Sequence, residues 1–291
     1  MIGPGDERAR SGPPGFHDSV LVEFCDGERE VFGLLRIARV PDAERTDLLA
    51  VMFSGAEPVL STAEQGLPLA PGWERAEADV ARLEVLAPLE RWRAAYDSPT
   101  AGFDLELSAA SPPVDFDAPP AAELARASGT HGYEQLCTVR GTARAGDQEI
   151  QLEGVGRRVH TWGRSEPGAV AAARSVFAFA EGSGMTVAAI RPAGASDHGH
   201  ELITGHLLSR AVEPLALEQV RLSTVYDRNG RPREAGLELL APGEEVPRRV
   251  AGEAACGISI ESAEAVTWLA FFRWSFDGVP GLGSYQLHRR K

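Results

Sequence analysis

Short runs of β-branched and aromatic residues, closed off at close intervals by Gly, Pro, Asn or Asp, recur along almost all of this 291-residue chain. That spacing leaves little room for helices and constrains the fold more than any other feature. Val20 to Phe24 alternates and stops at Asp26-Gly27, a hairpin-turn pair. Val31 to Val40, Leu48 to Phe53, Val80 to Leu86, Arg91 to Tyr96 and Phe103 to Leu107 continue the series, and Ser111 to Pro120 is a Pro-rich connection. Tyr133 to Arg140 and Glu149 to Trp162 are the longest strand candidates of this half, joined by Ala145-Gly146-Asp147. The second half repeats the style from Ser175 to His288, with a strong hairpin signal at Asp227-Arg228-Asn229-Gly230. Helix is expected only at Pro119 to Ala127, Glu166 to Arg174 and Ala76 to Arg82.

About twenty strands at this spacing predict an all-β chain of barrels or sandwiches. A closed barrel of eight to ten strands uses about 120–160 residues, so two antiparallel β-barrels packed together fit better than one. The expected division is a disordered tail over 1–15, an N-terminal barrel over 16–165 and a C-terminal barrel over 166–291.

The charge of −13 excludes nucleic acid and anionic membrane surfaces as partners, because both need a basic face. Lysine occurs once, at Lys291, which removes Schiff-base chemistry, pyridoxal phosphate and a Walker phosphate loop. Cys25, Cys137 and Cys256 are odd in number and widely spaced, as in a reducing compartment, and form no zinc motif. The start of the chain has no signal-peptide pattern, and no run of about 18 apolar residues could cross a bilayer. A soluble, cytoplasmic protein without membrane insertion is expected; the oligomeric state is not legible.

Tyr133-Glu134-Gln135, Val139-Arg140-Gly141 and Gly154-Val155-Gly156-Arg157-Arg158-Val159-His160-Thr161-Trp162-Gly163 form a recognisable set. Together with Pro88-Leu89-Glu90-Arg91-Trp92-Arg93 and the closing Phe276-Asp277-Gly278 and Gly281-Leu282-Gly283, this set resembles the carotenoid hydratase (hydroxyneurosporene synthase) superfamily. That resemblance covers 16–165 well and the remainder loosely. It implies lipocalin-like double barrels around an apolar pocket, and relatives that hydrate polyenes, cyclise isoprenoids or guide Diels-Alderase-type cycloadditions, none with an organic cofactor. Three departures stand out: Val159 replaces the Asp of the family's Arg-Asp-His, Thr161 replaces its Ser, and Gln286 stands where Glu often follows the closing motif.

Strand alternation places Arg158, His160 and Trp162 on one face and Val159 and Thr161 on the other. Such a face could carry protons or hold a ligand's polar handle; it could equally be structural, with His160 and Arg158 bonded to backbone and Trp162 closing the barrel end. Gln135 occupies the family's glutamine position and is the expected inward residue, with Arg158 or His160 as partners; Glu134 faces the other way. Tyr133 precedes them. Trp268, Phe272, Trp274 and Phe276 share a face that is either core or the wall of a polyene pocket. Catalytic candidates are therefore His160, Arg158, Gln135 and Glu134, and substrate-binding candidates Trp162, Tyr133, Trp268, Phe272 and Trp274.

His198, His200, His206 and Glu201 form the one metal-like set, but the surrounding glycines read as a turn, so no metal is assigned. Gly278 to Gly283 has no room for a following helix and cannot be a dinucleotide loop. The expectation is a cofactor-independent cyclase or isomerase for an apolar isoprenoid, polyene or polyketide; the alternative is a non-catalytic carrier of an apolar lipid or pigment.

Overall fold

The computed structural model describes residues 1–164, 168–195, 198–210 and 212–291. Its contacts divide the chain into two units, Met1–Asp115 with Thr130–Ser165, and Phe116–Gly129 with Glu166–Lys291.

The first unit holds β1 (His17–Asp26), β2 (Val31–Val40), β3 (Arg45–Ser54), β4 (Glu57–Pro68), β5 (Arg75–Ala78) and β6 (Ala81–Ala87). It continues with β7 (Arg91–Asp97), β8 (Ala101–Ala109), the two-residue β9 (Val114–Asp115), β10 (Thr130–Ala145) and β11 (Gln148–Gly163). All pair antiparallel in the order β4-β3-β2-β1-β11-β10-β8-β7-β6-β5, with β9 on β10. The sheet curls until β5 meets β3, which makes a nearly closed barrel.

The second unit begins with helix α1 (Ala122–Ser128), followed by β12 (Val170–Ala180), β13 (Ser183–Pro192), β14 (Leu202–Ser209) and β15 (Val212–Ala216). Then come β16 (Gln219–Tyr226), β17 (Pro232–Leu240), β18 (Arg248–Glu261), β19 (Ala265–Phe276) and β20 (Val279–Arg290). Their order is β15-β14-β13-β12-β20-β19-β18-β17-β16, again antiparallel and curled, with β14 against β16. The all-β fold of two antiparallel barrels is therefore the observed one. Among the described residues, no helix is long and apolar enough to cross a membrane.

Each barrel encloses its own core, built from the inward positions of alternating strands. Val20, Val22 and Phe24 of β1 point into the first, with Leu35, Ile37, Trp92, Leu105 and Leu107. Val176, Val187, Leu237, Phe272, Trp274 and Tyr285 fill the second.

The structure departs from the sequence reading in four places. Ala76 to Arg82, expected as helix, spans the β5–β6 hairpin: its Ala, Glu and Arg favour helix in isolation, but Ala76, Ala78 and Ala81 are buried against the first core. In the second expected helix, 170–174 opens β12, while 166 and 167 lie outside the described residues. Strand β4 carried no sequence signal because it ends the sheet, most of its residues are exposed, and Pro, Gly and polar residues break up any apolar face.

The fourth departure concerns 1–15, expected as a disordered tail. Pro4–Glu7 forms a 3-10 turn, and Glu7 is buried at one end of the first barrel. Composition identified these residues as polar; it could not show that one of them meets a buried cation.

Candidate functional site

The long hairpin of β10 and β11 brings the motif residues together. Its register sets Tyr133 opposite His160 and Gln135 opposite Arg158, and all four side chains are buried. Gly132, at φ +150°, lets β10 close on β11: a Cβ there would stand 2.3 Å from the carbonyl oxygen of His160.

His160 is fully buried and donates from Nε2 to Asp18 Oδ1 at 2.8 Å. Asp18 enters from β1, two strand positions before Val20, so the alternation that points Val20 inward also points a carboxylate inward. Its other oxygen accepts from Arg39 Nη1 at 2.9 Å, Trp73 Nε1 at 3.0 Å and the Arg10 backbone N–H at 2.8 Å. Burial alone would raise the Asp18 pKa, but the bonds from His160, Arg10 and Trp73 overcome it and hold the group ionised. Burial pushes His160 below its ordinary value, the Asp18 hydrogen bond opposes this without cancelling it, and Arg158 adds to the depression. The resting couple is thus a neutral imidazole beside a carboxylate. Its Nδ1 has no hydrogen-bond partner.

Aromatic rings enclose this imidazole edge-on. Trp162 lies 5.2 Å away between centroids, with Tyr133 and Trp73 each at 5.6 Å. Beside them, Arg158 donates to Glu7 Oε2 at 2.5 Å and to the Tyr133 hydroxyl at 3.1 Å, and its guanidinium sits 4.9 Å over the Trp92 ring. Burial raises the Tyr133 pKa, so the phenol stays protonated. The N-terminal segment closes this end, with Arg10 stacked 3.6 Å over Trp162.

The sequence candidates separate into three places. His160, Arg158, Tyr133, Trp162 and Gln135 converge inside the first barrel. Gln135, however, donates to the backbone carbonyls of Leu89 and Ser111 rather than bonding Arg158 or His160, and its Oε1 is unpartnered. Nor do Arg158 and His160 rely on backbone: both are held by carboxylate side chains.

Glu134 lies on the opposite face of β10. It accepts from Arg157 at 3.0 Å, and Arg157 also donates to Glu23 at 2.6 and 2.8 Å, all three buried. Glu134 therefore belongs to an ion-pair triad, away from the imidazole. Val159, its register partner, shares that face. The departure at Val159 from the motif the resemblance implies thus leaves the His160 side untouched, where the carboxylate comes from Asp18. Sequence reading missed Asp18 and Glu7; the parity of β1 was the available signal for the first, and nothing local marked the second.

Trp268, Phe272 and Trp274 belong to the second barrel. Phe272 stacks on Trp274 at 4.9 Å and on Tyr285 at 5.7 Å, while Trp268 is half-buried at the core's margin. Tyr285 bonds Thr224 at 2.7 Å, and Arg174 reaches Tyr285 and the carboxylate of Glu201. Among the described residues no group of three His, Cys, Asp or Glu could hold a metal ion. The side chain of His198 lies outside what the structure describes. A cleft of about 480 Å³ opens at the other end of the first barrel, over Tyr96 and Phe103, but charged residues such as Glu77, Asp79, Arg82 and Arg144 line it. It does not suit an apolar ligand.

The profile of a family described as Domain of unknown function (DUF7064) matches residues 4–291. No curated protein matches the chain. Several solved structures share its fold, among them the following. A putative ATTH from Nitrosomonas europaea superposes with a TM-score of 0.68 at 14% identity, over 99% of this chain and 98% of that one. CghA, crystallised with Sch210972, gives 0.67 at 14% identity over 95% and 89%. Kievitone hydratase from Nectria haematococca gives 0.61 at 11% over 94% and 89%. At these identities the likeness is one of fold, and that fold is the lipocalin-like double barrel the motif resemblance implied.

Proposed function

This chain belongs to the DUF7064 family, and for this member we propose an enzyme that cyclises or isomerises an apolar isoprenoid, polyene or polyketide without an organic cofactor. The observation that carries the reading is the Asp18–His160 couple: a neutral imidazole, oriented by an ionised carboxylate, with one nitrogen unoccupied and aromatic rings on three sides. That arrangement is a general base of the kind in which a carboxylate fixes the tautomer of a histidine. His160 Nδ1 takes a proton from one substrate carbon and returns it at another. Asp18 remains ionised and stabilises the transient imidazolium, and the rings hold the substrate near its reactive conformation. Fold relatives that include a hydratase, and a protein crystallised with Sch210972, support small-molecule chemistry in this architecture.

A carrier that performs no chemistry is the second reading. Gln286, standing where the motif resemblance implies Glu, favours it.

The deciding experiment is mass spectrometry of an organic extract of the purified protein, before and after incubation with linear polyenes. A new isomer of equal mass is expected. Gain of one water would make the protein a hydratase, and a bound polyene returned unaltered would make it a carrier.

A further inference from the structure

The groups around the Glu7 carboxylate come from the barrel wall, whereas the carboxylate itself arrives on a short N-terminal turn. Arg158 Nη2 donates to Oε2 at 2.5 Å, while Trp92 Nε1 and the Leu89 backbone N–H donate to Oε1 at 2.9 and 3.1 Å. Leu89 presents that N–H from a left-handed conformation at φ +61°, a strained geometry for a non-glycine residue and a frequent mark of a ligand clamp. Arg158, Trp92 and Tyr133 are buried with the N-terminal turn seated over them. A small void adjoins the guanidinium; Val20, Val22, Trp73, Leu83 and Trp92 give it apolar walls, and the charged Glu84 and Arg93 also line it. By contrast, residues 11–15 that tether the segment are exposed.

We propose that the first barrel carries a carboxylate-binding site which Glu7 fills as a tethered ligand, and that an apolar carboxylic acid competes for it and displaces the N-terminal segment. The donor set is that of an acid receptor: one bidentate-capable cation, two neutral N–H groups and aromatic walls. Tethering gives Glu7 a high effective concentration, so a free acid binds weakly until Glu7 is removed. The site adjoins His160, and the inference rests on the proposed reaction only for its location. Displacement would uncover the imidazole for an acid-bearing substrate.

The test uses 4-phenylbutyrate as probe and neutral 4-phenylbutyramide as control. Calorimetry should show the acid binding Glu7→Ala about tenfold or more tighter than the parent, the amide binding neither, and Arg158→Gln added to Glu7→Ala abolishing the difference. With the unaltered protein, the acid but not the amide should speed tryptic cleavage after Arg10, read as loss of the N-terminal peptide by intact mass. Equal binding of acid and amide by a folded Glu7→Ala protein would overturn the proposal. So would cleavage after Arg10 that high acid concentrations leave unchanged, and this second measurement decides alone if Glu7→Ala does not fold. Acid binding as described, with linear polyenes returned unaltered in the extract experiment, would remove the reaction reading and leave this one standing.

Discussion

Glu7 and Arg158, 151 positions apart in the chain, meet at 2.5 Å inside the first barrel, both almost entirely out of solvent. The first residues of the chain are thereby tied to its most characteristic motif, and their stability is shared.

Breaking this pair should be costly in one direction and cheap in the other. Glu7→Ala leaves a buried guanidinium unpaired and should cost about 3–5 kcal/mol, whereas Glu7→Leu with Arg158→Met, which removes both charges, should recover most of it. Urea unfolding of the two variants provides the comparison. Equal losses would mean the charge pairing is not what holds the segment.

The Arg157 triad should behave in the same way without any link to ligand. Arg157→Met removes the guanidinium that the buried carboxylates of Glu23 and Glu134 share and should destabilise by about 3–5 kcal/mol. Glu134→Gln keeps the Arg157–Glu23 bonds and should cost less. If Glu134→Gln instead abolished turnover in a folded protein, its assignment to the structural face would be wrong.

Turnover should depend on both members of the Asp18–His160 couple. His160→Gln and Asp18→Asn should each lower kcat by about 10²–10⁴-fold while leaving substrate binding in place. Because burial depresses the His160 pKa and the neutral form is the base, kcat should rise with pH to a plateau, its midpoint below 6.5. A rate that falls as pH rises through that range would assign the proton to another group.

His206 makes a separate prediction for the second barrel. Burial lowers its pKa from 6.5 to about 4, so below pH 6.5 the unfolded chain binds a proton that the folded one refuses. Stability therefore falls as pH falls, by about 1.4 kcal/mol per unit between 6.5 and about 4, and is unaffected by this group above 6.5. His206→Leu should flatten the slope in that window, as measured by chemical denaturation at several pH values.

Much of this architecture could be read from local order, because a strand's inward face is a matter of parity. Val20, Val22 and Phe24 alternate, and so do Arg158, His160 and Trp162; a two-residue period is a local property that needs no knowledge of the partner strand. The Asp26-Gly27 and Ala145-Gly146-Asp147 turns likewise announced the hairpins that follow them. Strand β4 and the β5–β6 hairpin escaped for the converse reason. An edge strand lacks an apolar face, and short alanine-rich strands are chosen by the core they meet rather than by their own propensity.

The sequence by itself determined the all-β class, the two-barrel count and the shared face of the histidine and arginine, since each follows from composition and periodicity over a few neighbouring residues. Only the tertiary structure decided what those inward charges meet. A buried cation must find an anion and a buried imidazole N–H an acceptor, and the carboxylates that answer Arg158 and His160, Glu7 and Asp18, lie 151 and 142 positions away. No local pattern encodes such a pairing, because it is the curling of the sheet that brings β1 beside β11 and seats the first ten residues over the barrel's end.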